Sequence, residues 1–250
     1  MIKVTPIKNS PITTAMVMAA GHGTRLRPLT DATCKAMVKV GGKMLVDHTL
    51  DRLHEVGVKR AVVNVHTFAD DLEAHLRKRT VGPEIIISDE RAELLETGGG
   101  VVKALPLLGE APIFICNIDA MWIGFEDVLG GMIRTWNPDT MDELFLLASR
   151  SATLGLDGRG DFKLAKDGRI SRAGDDGSDW FYSGVEIFKP QLAKPFKVEK
   201  FSRNKVWDNT LKRRKAYGHI LSGFWMHVGD PKAHQAAEAV LVQKHKMEQS

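Results

Sequence analysis

Cysteine is nearly absent from this chain of 250 residues: Cys34 and Cys116 are the two. Two thiols cannot build a disulfide framework, and nothing near either has the spacing of a zinc site. Each reads as a small buried residue rather than a nucleophile. No apolar run approaches the roughly 20 residues of a membrane span, and the first eleven residues hold two lysines but no apolar stretch of signal-peptide length. The expectation is a cytoplasmic protein with no membrane partner. Charge bias is also slight. The net charge of +4 suits anionic small ligands and is too small to argue for nucleic acid. The run Lys212-Arg213-Arg214-Lys215 reads as a solvated helix end. No repeat, linker or low-complexity stretch divides the chain.

What is present concentrates between Ala15 and Lys43. An apolar run over residues 15–20, short enough for a buried strand, breaks at Gly21-His22-Gly23-Thr24. Glycine tolerates positive φ and has no side chain, so such a loop can bring backbone N–H groups onto phosphate oxygens. Arg25, Arg27 and Lys35 add positive charge nearby. Two familiar phosphate loops are excluded: the third glycine of the dinucleotide fingerprint is missing, and no Gly-Lys-Ser/Thr follows.

Ala19-Ala20-Gly21-His22-Gly23-Thr24-Arg25-Leu26-Arg27-Pro28-Leu29-Thr30, then Cys34-Lys35 and Gly42-Lys43-Met44, resembles the opening signature of the sugar-1-phosphate nucleotidyltransferases. Cys34 and Met44 stand where that pattern has proline. The resemblance covers roughly residues 13–240. It implies an α/β, Rossmann-like, mostly parallel mixed sheet with helices on both faces, the GT-A-like fold of these enzymes. It also implies one domain, with residues 13–119 as nucleotide half and 120–250 as sugar half ending in a helix.

Periodicity agrees with an alternating order. Residues 45–56, 68–79 and 97–108 read as helices, and residues 60–66, 84–88 and 112–117 as strands. That alternation means βαβ units. Ligands in such sheets sit beyond the carboxyl ends of the strands. The Gly21 loop, His66, Ser88-Asp89 and Asn117-Asp119 are therefore expected on one rim. Beyond it, residues 125–135 read as a helix, 144–148 and 180–188 as strands, and 161–171 as a hairpin with a type I′ turn at Asp167-Gly168.

Further site residues follow from the resemblance. Glu96-Thr97-Gly98-Gly99-Gly100 stands where the family meets the nucleobase, in the version of a branch that includes N-acetylmuramate 1-phosphate uridylyltransferase and some mannose-1-phosphate guanylyltransferases; Thr97 is also a candidate helix cap. A close chain crossing would equally need those glycines. Asn117-Ile118-Asp119 matches the element whose aspartate holds Mg²⁺. Trp180 to Phe188 matches the sugar strand, which makes Asn117, Tyr182, Gly184 and Glu186 sugar-side candidates.

Two departures stand out. His227 occupies the place of the family's second metal aspartate in Trp225-Met226-His227-Val228-Gly229-Asp230-Pro231, and imidazole suits Mn²⁺ better than Mg²⁺. Asp230 reads mainly as a helix cap before Pro231. The family's Glu-Lys-Pro element is missing, with Arg172 or Lys163 as possible substitutes.

The implied reaction joins a nucleoside triphosphate to a sugar 1-phosphate. Arg25 would hold the β and γ phosphates, Lys35 the α-phosphate, Asp119 the metal, and Ala19, Ala20, Gly21, Gly23 and Thr24 the triphosphate. UTP with N-acetylmuramate 1-phosphate is the first choice and GTP with mannose 1-phosphate the second. A nucleotide-sugar sensor without turnover is the reading of a different class. Oligomeric state is not legible in the sequence.

Overall fold

A computed structural model describes residues 10–124, 127–156 and 158–249. In chain order its elements are β1 (Thr14–Met18), β2 (Lys39–Val40), β3 (Lys43–Met44), α1 (Leu45–Glu55), β4 (Arg60–Val65), α2 (Ala69–Arg77), β5 (Glu84–Asp89), α3 (Glu96–Leu108), β6 (Ile113–Asn117) and β7 (Ala120–Ile123). The second half adds α4 (Val128–Thr135), β8 (Glu143–Ser149), β9 (Thr153–Leu154), β10 (Phe162–Leu164), β11 (Ile170–Arg172), β12 (Trp180–Phe188), α5 (Asn204–Lys212), β13 (Ala216–Ile220), β14 (Phe224–His227) and α6 (Pro231–Gln249). The expected helix over 125–135 begins at Val128; Phe125 and Glu126 lie outside the described residues.

The main sheet runs β11-β10-β12-β6-β1-β4-β5, with β8 also on β12 and β13 on β8. The part β6-β1-β4-β5 is parallel throughout. β12 then lies antiparallel to β6 and starts the second half. Strands covered on both faces must be apolar at successive positions, and Ala15, Met16 and Val17 are all inaccessible. Alternate residues serve opposite layers. Val17, Val63 and Cys116 pack with Leu50 of α1 and Leu72 of α2. Met16, Val62 and Ile115 pack with Val101 of α3 and Val206 of α5. Burial pushes the Cys116 thiol up to about 12, which fits a core residue.

Three local expectations change. The hairpin turn is not type I′: Gly168 has φ +83 and Asp167 does not share it, so Lys166-Asp167-Gly168 forms a three-residue loop with Gly168 N–H donating to Ala165 O (3.0 Å). Thr97 does not cap α3, which starts one residue earlier; its hydroxyl accepts the Arg203 N–H at 2.9 Å. His66 meets the Gly21 loop, its ring edge-on to that of His22 with centroids 5.2 Å apart, but Ser88-Asp89 does not share that rim. Ser88 and Asp89 line a separate shallow depression with Arg91 and Lys103.

Under α5 the core is polar. Glu143, Glu186 and Arg203 are buried beside Tyr182 and Trp207, with Arg203 Nε 3.0 Å from the Glu186 carboxylate. One guanidinium cannot neutralise two carboxylates. Burial, reinforced by Glu186, drives the Glu143 carboxyl well above its usual range, which favours its protonated form in the folded chain. The raised folded value means that the unfolded chain, which ionises at ordinary carboxyl pH, gains ground as pH rises. Glu143→Gln keeps the shape without that penalty. Its melting temperature should exceed the parent's by about 3 °C at pH 8, with the gap closing at pH 5. Equal gaps at both pH values would contradict this.

Candidate active site

A cavity of about 450 Å³ opens beyond the carboxyl ends of β1 and β6. One wall is the loop after β1. Gly23 takes φ +64, and a Cβ there would crowd Lys35 and Thr30 at 3.0 and 3.1 Å. Gly21 faces open space. The backbone N–H groups of Gly21, Gly23 and Thr24 donate to no acceptor among the described residues, which leaves them for a ligand's oxygens. Ala19 and Ala20 line the same wall, but their N–H groups are taken by Asn64 Oδ1 at 2.7 and 3.3 Å. They shape the wall and do not donate from it.

Asn64 was not found from the sequence. Its Nδ2 donates to Glu90 Oε1 (2.7 Å), and Glu90 Oε2 accepts the Leu95 N–H (3.1 Å). This buried chain ties the end of β1 and its glycine loop to the start of α3. An asparagine inside the apolar run of β4 was the available signal, because a polar group there must have a buried partner.

The opposite wall holds Leu94, Glu96, Thr97 and Ser202. Gly98 and Gly99 do not line the cavity. Both N–H groups point to Phe201 O (2.8 and 3.4 Å). A Cβ on Gly98 would overlap the Phe201 ring, and one on Gly99 the Glu199 carbonyl. Their lack of side chains serves a chain crossing, so of the expected base residues Glu96 and Thr97 face the cavity. Ser202 was missed in sequence; no local pattern marks it.

The floor carries charge. Lys35 Nζ donates to Asp119 Oδ2 at 2.6 Å, with the two side chains 12% and 18% exposed. His227 Nε2 reaches the same oxygen at 3.2 Å, because β14 pairs with β7 and sets His227 opposite Ala120. Burial works to raise the Asp119 pKa, but the Lys35 ammonium and His227 override it and hold the carboxyl far below the usual range. It is ionised at any working pH. Arg25 also lines the cavity and makes no ion pair among the described residues. Asp230 accepts the Ala233 N–H (2.9 Å), the cap of α6, and does not line the cavity.

The sugar candidates separate. Asn117 lines the cavity. Gly184, at φ +87, sits in the register shift of β12, where a Cβ would come 2.7 Å from that of Ala120. Tyr182 accepts from Arg203 Nη2 at 2.8 Å, and Glu186 is fully buried; neither lines the cavity, because β12 turns both toward α5. Arg172 pairs with Asp208 and Lys163 with Asp176, and neither lines the cavity.

Free N–H groups, an unpaired arginine, a lysine and an ionised aspartate around one cavity at a parallel sheet's carboxyl edge define a phosphoryl-handling nucleotide enzyme. Residues 14–129 match the family described as Nucleotidyl transferase. The chain is 46% identical to the N-acetylmuramate alpha-1-phosphate uridylyltransferase of Caulobacter vibrioides, covering 92% of this chain and 97% of that one. It is 30% identical to the same-named protein of Neisseria meningitidis serogroup B, covering 86% and 92%. With the mannose-1-phosphate guanylyltransferase catalytic subunit beta of Drosophila melanogaster it shares 28% identity over 88% of this chain and 60% of that one. In fold it matches UDP-glucose pyrophosphorylase complexed with UDP-glucose, with TM-score 0.76, 16% identity, and coverage of 93% and 99%. The chain belongs to the nucleotidyl transferase family and is a sugar-1-phosphate nucleotidyltransferase.

Proposed function

We propose that this enzyme joins UTP and N-acetylmuramate α-1-phosphate, giving the UDP-sugar and pyrophosphate, in the cytoplasm. The observation that carries the reading is 46% identity, over nearly the whole chain, to a uridylyltransferase for that sugar phosphate. In this reading the triphosphate lies on the N–H groups of Gly21, Gly23 and Thr24, with Arg25 on the β and γ phosphates. The base lies between the loop and Glu96-Thr97, and the sugar phosphate beside Asn117. One oxygen of the sugar phosphate attacks the α-phosphorus in line, the α–β bond breaks, and pyrophosphate leaves. The attacking phosphate is already an anion, so no side chain takes its proton. Lys35 neutralises charge on the α-phosphate, and the rigid loop holds two anions within reach of each other.

The donor set fits a divalent cation of the kind the family uses. Asp119 offers one ionised carboxylate and His227 one imidazole, and Mg²⁺ is commonly held by one or two carboxylates with substrate phosphates completing its shell. When bound, the ion would screen the repulsion between the two phosphates. The imidazole favours better tolerance of Mn²⁺.

Pyrophosphate release across four nucleoside triphosphates and a panel of sugar 1-phosphates, with Mg²⁺ and with Mn²⁺, tests the reading. Turnover restricted to UTP and N-acetylmuramate 1-phosphate is expected. Turnover restricted to GTP and mannose 1-phosphate would overturn the substrate assignment, and silence in a folded preparation would overturn catalysis.

A further inference from the structure

Besides the longer Gly99 N–H to Phe201 O bond (3.4 Å), three hydrogen bonds fix the wall bearing Ser202 to the start of α3. Gly98 N–H donates to Phe201 O (2.8 Å), Phe201 N–H to Leu95 O (3.2 Å) and Arg203 N–H to Thr97 Oγ1 (2.9 Å). Those bonds join two parts of one wall, which the Asn64–Glu90–Leu95 chain and the apolar face of α3 tie to β1 and β4, but they do not join it to β12. The Arg203 side chain does. It leaves the wall where α5 begins and enters the protein interior, where it is 2% exposed. There its Nε lies 3.0 Å from the Glu186 carboxylate on β12, its Nη2 donates to Tyr182 Oη at 2.8 Å, and its guanidinium lies over the Trp207 ring.

Burying a guanidinium and a carboxylate is costly, and apolar side chains of similar volume commonly give equal or greater stability. What a buried guanidinium held between the Glu186 carboxylate and the Tyr182 hydroxyl adds is a defined position. The backbone so positioned carries Ser202 and supports Thr97, two of the residues that face the cavity opposite the phosphate loop.

We propose that Arg203 is a positioning residue for nucleobase recognition: locked onto Glu186 and Tyr182, it holds the Ser202 wall and the first turn of α3 at the spacing a base requires. The inference rests on the reading that this wall meets the base. It assigns Glu186 and Tyr182 to the anchor. Neither Arg203 nor Glu186 touches substrate, and the phosphate loop is held independently through Asn64 and Glu90.

The test replaces the lock with apolar bulk in the double variant Arg203→Met/Glu186→Leu and titrates full-length protein with UTP and, separately, with inorganic tripolyphosphate. The expected result is a folded protein melting at or above the parent temperature. Its UTP dissociation constant rises by about tenfold, its tripolyphosphate affinity holds, and kcat at saturating UTP stays within about threefold. A folded double variant with unchanged UTP affinity overturns the anchor, as does an equal loss for both ligands. If the double variant does not fold, Arg203→Lys decides: it keeps the charge and loses the fork, so UTP affinity should drop severalfold, and an unchanged value overturns the proposal. A parent that binds UTP no better than tripolyphosphate would instead remove the base-site reading on which the anchor rests.

Discussion

Lys35→Ala is expected to lower kcat by at least about a hundredfold, the scale set by removing one preorganised charge from a phosphoryl or acyl transfer site. Among the described residues only Arg25 and Lys35 bring a lysine or arginine cation to the cavity. Arg25 is exposed on the loop, whereas Lys35 is nearly enclosed and sits at the floor, 2.6 Å from Asp119. Charge builds at the α-phosphate when the sugar phosphate attacks, and a cation in a partly dry site screens it far more than water would. The fold should survive. Asp119 keeps His227 as partner, and the short 3-10 turn Lys35–Met37 is held by Met37 N–H to Cys34 O at 3.0 Å. Steady-state kinetics beside a circular dichroism melt checks both halves; normal turnover would refute the role given to Lys35.

Asp119→Asn should cost still more, about a thousandfold in kcat, because it removes the carboxylate expected to hold the divalent ion and leaves Lys35 without its anionic partner. The amide has nearly the same shape, and the Asp119 carbonyl still accepts the Val228 N–H at 3.0 Å, so β7 and β14 stay joined. The UTP contacts proposed for the Gly21 loop and the Thr97 wall are untouched. Binding titrations should therefore show UTP affinity changed by no more than about fivefold while product formation collapses. Retained turnover would show that Asp119 carries no chemical role.

The parts legible in the sequence were those whose chemistry is local. Ala19 to Thr30 is a strand end, a turn and two cations within a dozen residues, and the structure puts Ala19, Ala20, Gly21, Gly23, Thr24 and Arg25 on one cavity wall. The helices over α1, α2 and α3 follow from periodicity, and Asp230 declares its cap through the proline that follows it. The parts that were not legible depend on pairings across the chain. Thr97 reads as a cap until Arg203, 106 residues later, is brought against it. Tyr182 and Glu186 lie on a strand whose two faces are equally apolar; which face looks toward α5 is set by the register shift at Gly184. The glycines at 98 and 99 were consistent with a base or with a chain crossing, and only the position of Phe201 decides for the crossing.

The central claim is that this site transfers a nucleotidyl group to a sugar phosphate. The most direct measurement is ³¹P NMR of purified enzyme with UTP, N-acetylmuramate α-1-phosphate and Mg²⁺. The account predicts loss of both substrate signals and appearance of a coupled diphosphate pair together with pyrophosphate, in equal amounts. UMP or UDP formed in place of the diphosphate product, or unchanged substrates with folded enzyme, would contradict it.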